Sequence, residues 1–135
     1  MKIREYLFEA ITLEVFDKDT FDAIEGKEHM FFRKGEGVYH TIVQNGKNVG
    51  TVGFTNGRVD PFFTIGIIKE FRGKGILAKA YKLLASKHGF RRAYIDIENT
   101  NKKSIDAHKA FGFKPVTEKV DKKLYKTDVR MYKDF

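Results

Sequence analysis

The sequence predicts an α/β fold, and three observations carry that prediction. Two runs rich in Val, Thr and aromatic residues, 38–44 and 48–55, are separated by Asn45-Gly46-Lys47, which is typical of a β-hairpin. A third, nearly all-apolar run, 62–68, enters a glycine-rich turn that opens a helical pattern. A second strand and helix follow from residue 92, so strands and helices alternate through the second half of the chain.

The first third of the chain predicts one strand and one helix. Residues 6–16 partly alternate apolar and polar side chains, which favours a strand. Asp19 or Thr20 is placed to cap a helix that continues through Ile24 toward residues 30–32, with 33–35 as its end.

The remaining strands and helices are predicted from hydrophobic periodicity and from glycines that end helices. Run 62–68 predicts a strand buried on both faces, in which Gly66 indicates a bulge or the close approach of a ligand. A helix should end at Gly89, and a strand should span 92–98. The next helix should end at Gly112, and the last two segments form a predicted hairpin. The residues expected to share one face of that helix are Ser104, Ala107, His108 and Phe111; the hairpin runs are 114–120 and 124–132.

The turn after residue 68 has the character of an anion site. Gly73 and Gly75 lack Cβ atoms, so the backbone can turn tightly and present N–H groups to a ligand. The helix that follows places its positive dipole end at the same point. Residues 71–95 contain seven bases and no acid, which adds to the attraction for a polyanion such as coenzyme A or nucleic acid.

Two blocks together resemble the GNAT superfamily of N-acetyltransferases. Arg72-Gly73-Lys74-Gly75-Ile76-Leu77 is similar to its pyrophosphate signature, Arg/Gln-x-x-Gly-x-Gly/Ala, with Leu77 where a small residue is usual. Asn101-x-x-Ser104-x-x-x-His108-x-x-x-Gly112-Phe113 is similar to its second block, with His108 where Tyr is usual. The resemblance covers about residues 62–116. It implies a single domain, 1–135, with a mixed, mostly antiparallel sheet, helices on both faces, and a central splay that admits acetyl-CoA.

The resemblance also implies a cofactor site. The pantetheine arm should run along the strand that ends at Ile67, and an N–H near Ile67 should face the thioester oxygen. Asn101 should hydrogen-bond the arm, cap the next helix, or do both. The residues expected to bind acetyl-CoA are Ile65, Gly66, Ile67, Arg72, Gly73, Lys74, Gly75, Ile76, Leu77, Ala78, Asn101 and Ser104.

Two residues are the candidate catalytic groups. His108 stands at the position of the family's proton-donating Tyr and could protonate the leaving thiolate, or it could simply pack or contact the cofactor. Asp96 occupies the place where some N-terminal acetyltransferases carry a glutamate base, and would act through a water. Glu98 lies on the same strand face and is the better candidate for a surface partner of the lysines.

Composition excludes several other classes. The chain has no cysteine, which removes disulfides and thiolate chemistry, and its four histidines lack metal-ligand spacing, so we expect no metal. The start has no apolar run of signal-peptide length, and nowhere do about 20 apolar residues run together, so we expect a soluble cytoplasmic protein without membrane contact.

The resulting expectation is an enzyme that moves acetyl from acetyl-CoA directly to a primary amine of a protein or small molecule. The first 30 residues hold eight acids and four bases, which would suit a cationic acceptor. The alternatives are an acyl-CoA-binding domain without catalysis and a basic nucleic-acid-binding protein, although no recognised nucleic-acid module is visible. A homodimer is possible, because the short N-terminal portion leaves little material to enclose an acceptor.

Overall fold

The computed structural model describes residues 10–30, 36–120 and 122–135. Its strands and helices are numbered here in chain order. The strands β1 to β7 are Ile11–Val15, Gly37–Gln44, Lys47–Thr55, Phe62–Ile67, Arg92–Glu98, Lys114–Pro115 and Asp128–Asp134. The α-helices α1 to α3 are Lys18–Asp22, Ile76–His88 and Lys102–Phe111, and two short 3-10 turns span Lys27–His29 and Lys69–Phe71.

The strands form one mixed sheet in the order β1-β2-β3-β4-β5-β7-β6. Neighbouring strands are antiparallel except β4 and β5, which run parallel at the centre. This arrangement confirms the predicted mixed, mostly antiparallel sheet. Among the described strands, the one parallel junction joins β5 to β4, the strand that leads into the glycine turn.

Helical segments cover both faces of the sheet, as predicted. On one face, the Phe63 ring of β4 lies 5.4 Å from the Tyr81 ring of α2, inside the main hydrophobic core. On the other face, a Cβ at Gly66 would lie only 3.0 Å from a methyl carbon of Ile24, in the segment after α1. We call the first the α2 face and the second the α1 face.

The structure confirms the hairpin between β2 and β3. The backbone conformation of its turn explains why Asn45-Gly46 predicts a hairpin so well. Asn45 and Gly46 both have positive φ, 53° and 78°. Two such residues form the type I′ turn, whose twist matches that of the two strands. Lys47 is the first residue of β3, paired with Gln44.

The N-terminal helix is shorter than predicted and begins earlier. Asp17, rather than Asp19 or Thr20, is its cap, because an Asp17 carboxylate oxygen accepts from the Thr20 N–H at 3.0 Å. The helix ends after one turn, and Gly26 then adopts φ 85° before the first 3-10 turn. The predicted continuation into residues 31–35, like the part of the first strand before residue 10, lies outside the described residues.

Three further expectations need correction. The register between β3 and β4 is continuous, so Gly66 is not in a bulge; the register shifts between β2 and β3, where Ile42 pairs with Gly50 and Val43 pairs with Asn48. The side chains buried on α3 are Ile105 and His108, while Ala107 is exposed. The predicted final hairpin is reduced, because β6 is two residues long.

Candidate functional site

The central feature of the site is an opening between β4 and β5. Within the described residues, these strands pair at one position, Phe62 with Tyr94, where the Tyr94 N–H donates to the Pro61 carbonyl at 2.9 Å. The Phe62 and Tyr94 rings stack with centroids 5.3 Å apart. Beyond this point the ladder stops, although β4 continues for five residues and β5 for four.

The peptide groups of Ile65 and Ile67 point toward that opening. The Ile68 N–H donates to the Val49 carbonyl at 2.8 Å, which makes the Gly50–Ile67 partners a non-hydrogen-bonded pair of the β3–β4 ladder. Because the ladder alternates, the N–H and C=O groups of Ile65 and Ile67 face β5 rather than β3. The edge of β4 can therefore pair with an extended ligand.

The glycine turn has the backbone that an anion site needs. Gly73 and Gly75 have φ of 76° and 74°, in the left-handed region that favours glycine. A Cβ at either position would meet nothing within 4 Å, so the space beside the turn is open. Gly75 is the N-cap of α2 and supplies no side-chain cap, which leaves the first N–H groups of the helix to bind a ligand.

The Arg72 side chain hydrogen-bonds to backbone groups of the protein, so it is not directed only at a ligand. Its Nε donates to the Ile67 carbonyl at 2.9 Å, and its Nη2 donates to the Glu25 carbonyl at 2.5 Å. The guanidinium therefore joins the end of β4 to the segment after α1. Its charge still lies beside the turn, because Arg72 is exposed.

The other predicted residues of this block divide between the surface and the core. Lys74 is exposed on the turn itself. Ile76 is buried, Leu77 is partly buried against the hydrophobic core, and Ala78 is half-buried. Gly66 lies on β4, where the absence of a side chain admits Met30 Sδ and Ile24. The groups that lie close to Gly66 are thus those of the protein itself, where a ligand was expected.

The second sequence block begins with a helix cap. The Asn101 side chain accepts from the Ser104 N–H at 3.2 Å and caps α3, as one of its two expected roles required. Ser104 is half-buried in the first turn. Both residues are brought to the end of β5, on the far side of the opening from the glycine turn.

His108 is 1% exposed, and both of its ring nitrogens are engaged. Nδ1 lies 2.7 Å from the Ser104 carbonyl oxygen, which only accepts, so Nδ1 carries the proton. Nε2 then accepts from the Tyr81 hydroxyl at 2.8 Å. Burial lowers the pKa of His108 to about 4, so the ring is neutral near pH 7. These contacts do not support the expectation that His108 protonates a leaving thiolate.

This burial predicts a specific loss of stability in acid. The pKa of His108 is lower in the folded protein than in the unfolded chain, so its contribution is present above pH 6.5 and is lost as the pH falls toward 4. Between pH 7 and pH 5 we expect that loss to be about 2 kcal/mol. Urea unfolding at both pH values should show at least this loss, because burial also lowers the pKa values of His40 and His88, and His108→Phe should remove the part due to His108. An unchanged pH dependence in His108→Phe would contradict the assignment.

Asp96 is also engaged, in a buried ion pair with Arg130. Arg130 Nε and Nη2 donate to the two carboxylate oxygens at 2.7 and 2.9 Å, and the side chains are 4% and 10% exposed. Arg130 also donates to the carbonyls of Lys122 and Lys123, at 2.6 and 3.1 Å. The pair therefore fixes the loop before β7 over the α1 face. This contact could not be predicted from sequence, because Arg130 lies 34 residues from Asp96.

Two further carboxylates lie on the same face. Glu98 and Asp128 are directly opposite each other on β5 and β7, next to the Asp96–Arg130 pair. Burial, together with the neighbouring charges of Asp96 and Glu98, raises the pKa of Asp128. A carboxylate with a raised pKa holds a proton more readily than an ordinary surface acid.

Among the described residues, no three His, Asp or Glu side chains are grouped so that they could hold a metal ion. None of the helices in that part of the chain combines the length and apolar character needed to cross a bilayer.

Comparison with solved structures shows the same fold in acetyltransferases. An acetyltransferase from Thermus thermophilus superposes with a TM-score of 0.72 at 16% identity, covering 95% of this chain and 99% of that one. A spermidine N-acetyltransferase SpeG chimera from Vibrio cholerae and hSSAT gives 0.66 at 15% identity, covering 90% and 94%. An acetyltransferase from Salmonella typhimurium that modifies the N-terminal serine of ribosomal protein L7/L12 gives 0.60 at 16%, covering 76% and 66%.

Sequence comparison identifies the family. A search of curated protein sequences finds no match. The model of the Acetyltransferase (GNAT) family, in contrast, matches residues 3–113, which include the glycine turn, the strands on both sides of the opening and the capped helix α3. The chain therefore belongs to the GNAT acetyltransferase family.

Proposed function

We propose that this protein transfers an acetyl group from acetyl-CoA directly to a primary amine. The observation that carries the proposal is the opening between β4 and β5, with the glycine turn at one end of it. Pyrophosphate chemistry suits the turn and the N-terminus of α2, and an extended amide-containing arm suits the edge of β4. The proteins with similar structures include a spermidine N-acetyltransferase and an enzyme that modifies a protein N-terminus, so the fold does not determine the acceptor.

The cosubstrate would be held by backbone groups and positive charge. The N–H groups around Gly73 and Gly75 would bind the pyrophosphate, with Arg72 and Lys74 adding charge. The β4 edge would pair with the pantetheine arm. When bound, acetyl-CoA supplies the acetyl group as an activated thioester.

The protein's part in the transfer is to orient the reacting groups and stabilise charge. The N–H of Ile67 would donate to the thioester oxygen as the amine attacks, a contribution worth about 3 kcal/mol in comparable sites. The new C–N bond forms, the C–S bond breaks, CoA leaves as a thiolate, and the amine loses a proton.

For the proton transfers we propose groups other than those expected from sequence. We assign His108 and Asp96 to positioning: His108 joins α3 to α2 through Tyr81, and Asp96 fixes the loop before β7 through Arg130. The proton of the amine would pass through water to the Glu98 and Asp128 carboxylates. The thiolate, whose conjugate acid has a pKa of about 8.5, would take its proton from solvent.

The proposed function is tested by following thiol release and product mass with acetyl-CoA and a panel of primary amines. Transfer requires that thiol release depend on the amine and that the amine gain one acetyl group. If acetyl-CoA binds but no amine is acetylated, the alternative of an acyl-CoA-binding domain without catalysis is favoured instead.

Substitution of Arg72 tests the cofactor end of the site. Arg72→Glu should weaken acetyl-CoA binding by about fivefold, because it places a like charge near the phosphates and releases the ties to Ile67 and Glu25. Arg91→Glu is the matched control, since Arg91 is exposed beyond the opposite end of α2. Equal affinities of the two variants, measured by calorimetry, would count against the proposed phosphate site.

A further inference from the structure

Two adjacent cavities on the α1 face lead away from the strand opening. One lies beside the loop before β4 and is lined by Arg58, Asp60 and Lys119 among others. The other reaches Thr64 and Asp96. They share Phe62 and Lys122 in their walls, so they are parts of one groove, which we call the acceptor cleft.

The inner end of the acceptor cleft lies at the strand opening. Thr64 and Asp96 each stand two residues beyond the single ladder pair of Phe62 with Tyr94. They therefore flank the point where β4 and β5 begin to separate, on the α1 face. A molecule in the cleft would have one end at the opening and the other under the loop before β7.

The described walls of the acceptor cleft are predominantly basic. They carry the cations Arg58, Lys119, Lys122 and Lys123, and the acids Asp60 and Asp96. The Asp96 carboxylate is bound through both oxygens by Arg130, so its charge is already balanced.

Two of these lysines are held at the cleft by aromatic rings. Lys122 Nζ lies 4.3 Å from the centroid of the Phe62 ring, and Lys123 Nζ lies 5.1 Å from that of Tyr125. Such contacts keep a cation on the wall of the groove. An anion in the groove would meet ordered positive charge.

Three of the described acids near the N-terminus are engaged by other groups of the protein, whereas the acids of this segment led to the expectation of a cationic acceptor. Asp17 caps α1 and Asp22 pairs with Lys18 and Lys27, at 2.6 and 3.0 Å. Glu25 pairs with Lys69, at 3.6 Å. None of these acids is among the residues that line the acceptor cleft.

We propose that the amine acceptor carries carboxylate groups close to its amino group, and that the acceptor cleft binds them. This inference rests on the proposed function. The amino group would lie at the opening near Thr64, and the carboxylates would lie near Lys122 and Lys123. Two sources have this chemistry: a free acidic amino acid and the N-terminus of an acidic peptide.

Direct binding tests the proposal without requiring turnover. The probes are free glutamate and three peptide amides, Glu-Glu-Ala, Gln-Gln-Ala and Arg-Arg-Ala, each titrated into the free and the CoA-loaded protein. We expect Glu-Glu-Ala amide, free glutamate, or both to bind at least tenfold tighter than Gln-Gln-Ala amide. Tighter binding of the peptide identifies a peptide N-terminus as the source, and tighter binding of glutamate identifies an amino acid.

A pair of charge-matched variants locates the binding. Lys122→Gln with Lys123→Gln should remove the preference for the acidic probe, because both cations leave the cleft. Lys109→Gln with Lys126→Gln removes the same charge from exposed positions outside its walls and should keep the preference. Acetyl-CoA affinity should be equal in both.

Two results would overturn the proposal: Gln-Gln-Ala or Arg-Arg-Ala amide binds as tightly as the acidic probes, or the Lys122 and Lys123 variant keeps the acidic preference. Failure of the proposed function looks different. In that case acetyl-CoA does not bind or no amine is acetylated, whereas the peptide comparison on the free protein still gives its own answer.

Discussion

Replacing Gly75 with aspartate should weaken acetyl-CoA binding by about 10- to 100-fold. Gly75 is the N-cap of α2, and no side chain there competes for the N–H groups of the first turn. An aspartate at this position would accept from those N–H groups itself and would repel the pyrophosphate. Calorimetric titration of acetyl-CoA into the variant measures the loss.

Gly75→Asn is the matched control for that experiment. Asparagine has nearly the same shape as aspartate and tolerates the φ of 74° equally well, but it has no charge. We therefore expect a smaller loss of affinity in Gly75→Asn than in Gly75→Asp. Equal affinities for the two variants would show that charge at this turn does not matter, which would contradict an anion site.

The largest effect on stability should come from Arg130. Replacing it with methionine leaves the Asp96 carboxylate buried without its cation and removes the donors to the Lys122 and Lys123 carbonyls. Breaking a buried ion pair on one side typically costs about 3–5 kcal/mol in the free energy of unfolding. Urea unfolding of Arg130→Met at pH 7 tests this value.

Strands β5 and β7 hold a second arginine–carboxylate pair, which is more exposed and therefore serves as the control. Arg92 donates to both carboxylate oxygens of Asp134, but the two side chains are 32% and 61% exposed. Arg92→Met should therefore cost no more than about 1 kcal/mol. Losses of similar size in Arg130→Met and Arg92→Met would mean that the burial of the Asp96–Arg130 pair has no energetic consequence.

Features that depend on local backbone preference could be predicted from sequence. Asn45-Gly46 favours a two-residue hairpin turn, and Gly89 and Gly112 favour helix ends, because each adopts a positive φ that other residues avoid. The strand and helix within residues 62–88 could be predicted from an apolar run and from helical spacing of apolar residues, and the turn between them from its two glycines. Such signals act within a few residues, so they need no knowledge of the tertiary structure.

The contacts of His108 and Asp96 could not be predicted in the same way. Their partners, Tyr81 and Arg130, lie 27 and 34 residues away in the chain. Position in a family motif indicates where a residue lies along its helix or strand, but the availability of its polar atoms depends on what packs against it. Burial next to Tyr81 lowers the pKa of His108, and no local pattern reveals that burial.

At Gly66, the sequence did not identify the group that comes close to the strand. The position of Gly66 in an apolar strand indicated a bulge or the close approach of a ligand, whereas in the structure a Cβ there would meet Met30 and Ile24. The identity of the approaching group required the fold, because the segment after α1 crosses β4 only in the tertiary structure. The basic acceptor cleft was missed for a related reason: its walls come from the loops before β4 and β7.

The central claim is that the opening between β4 and β5 and the glycine turn bind acetyl-CoA. Calorimetric titration of acetyl-CoA at moderate salt, with a single-stranded oligonucleotide as comparison, tests it most directly. We predict saturable binding of acetyl-CoA in the micromolar range that the oligonucleotide does not match. Absence of acetyl-CoA binding, together with salt-sensitive binding of the oligonucleotide, would contradict the claim and assign the basic surface to nucleic acid.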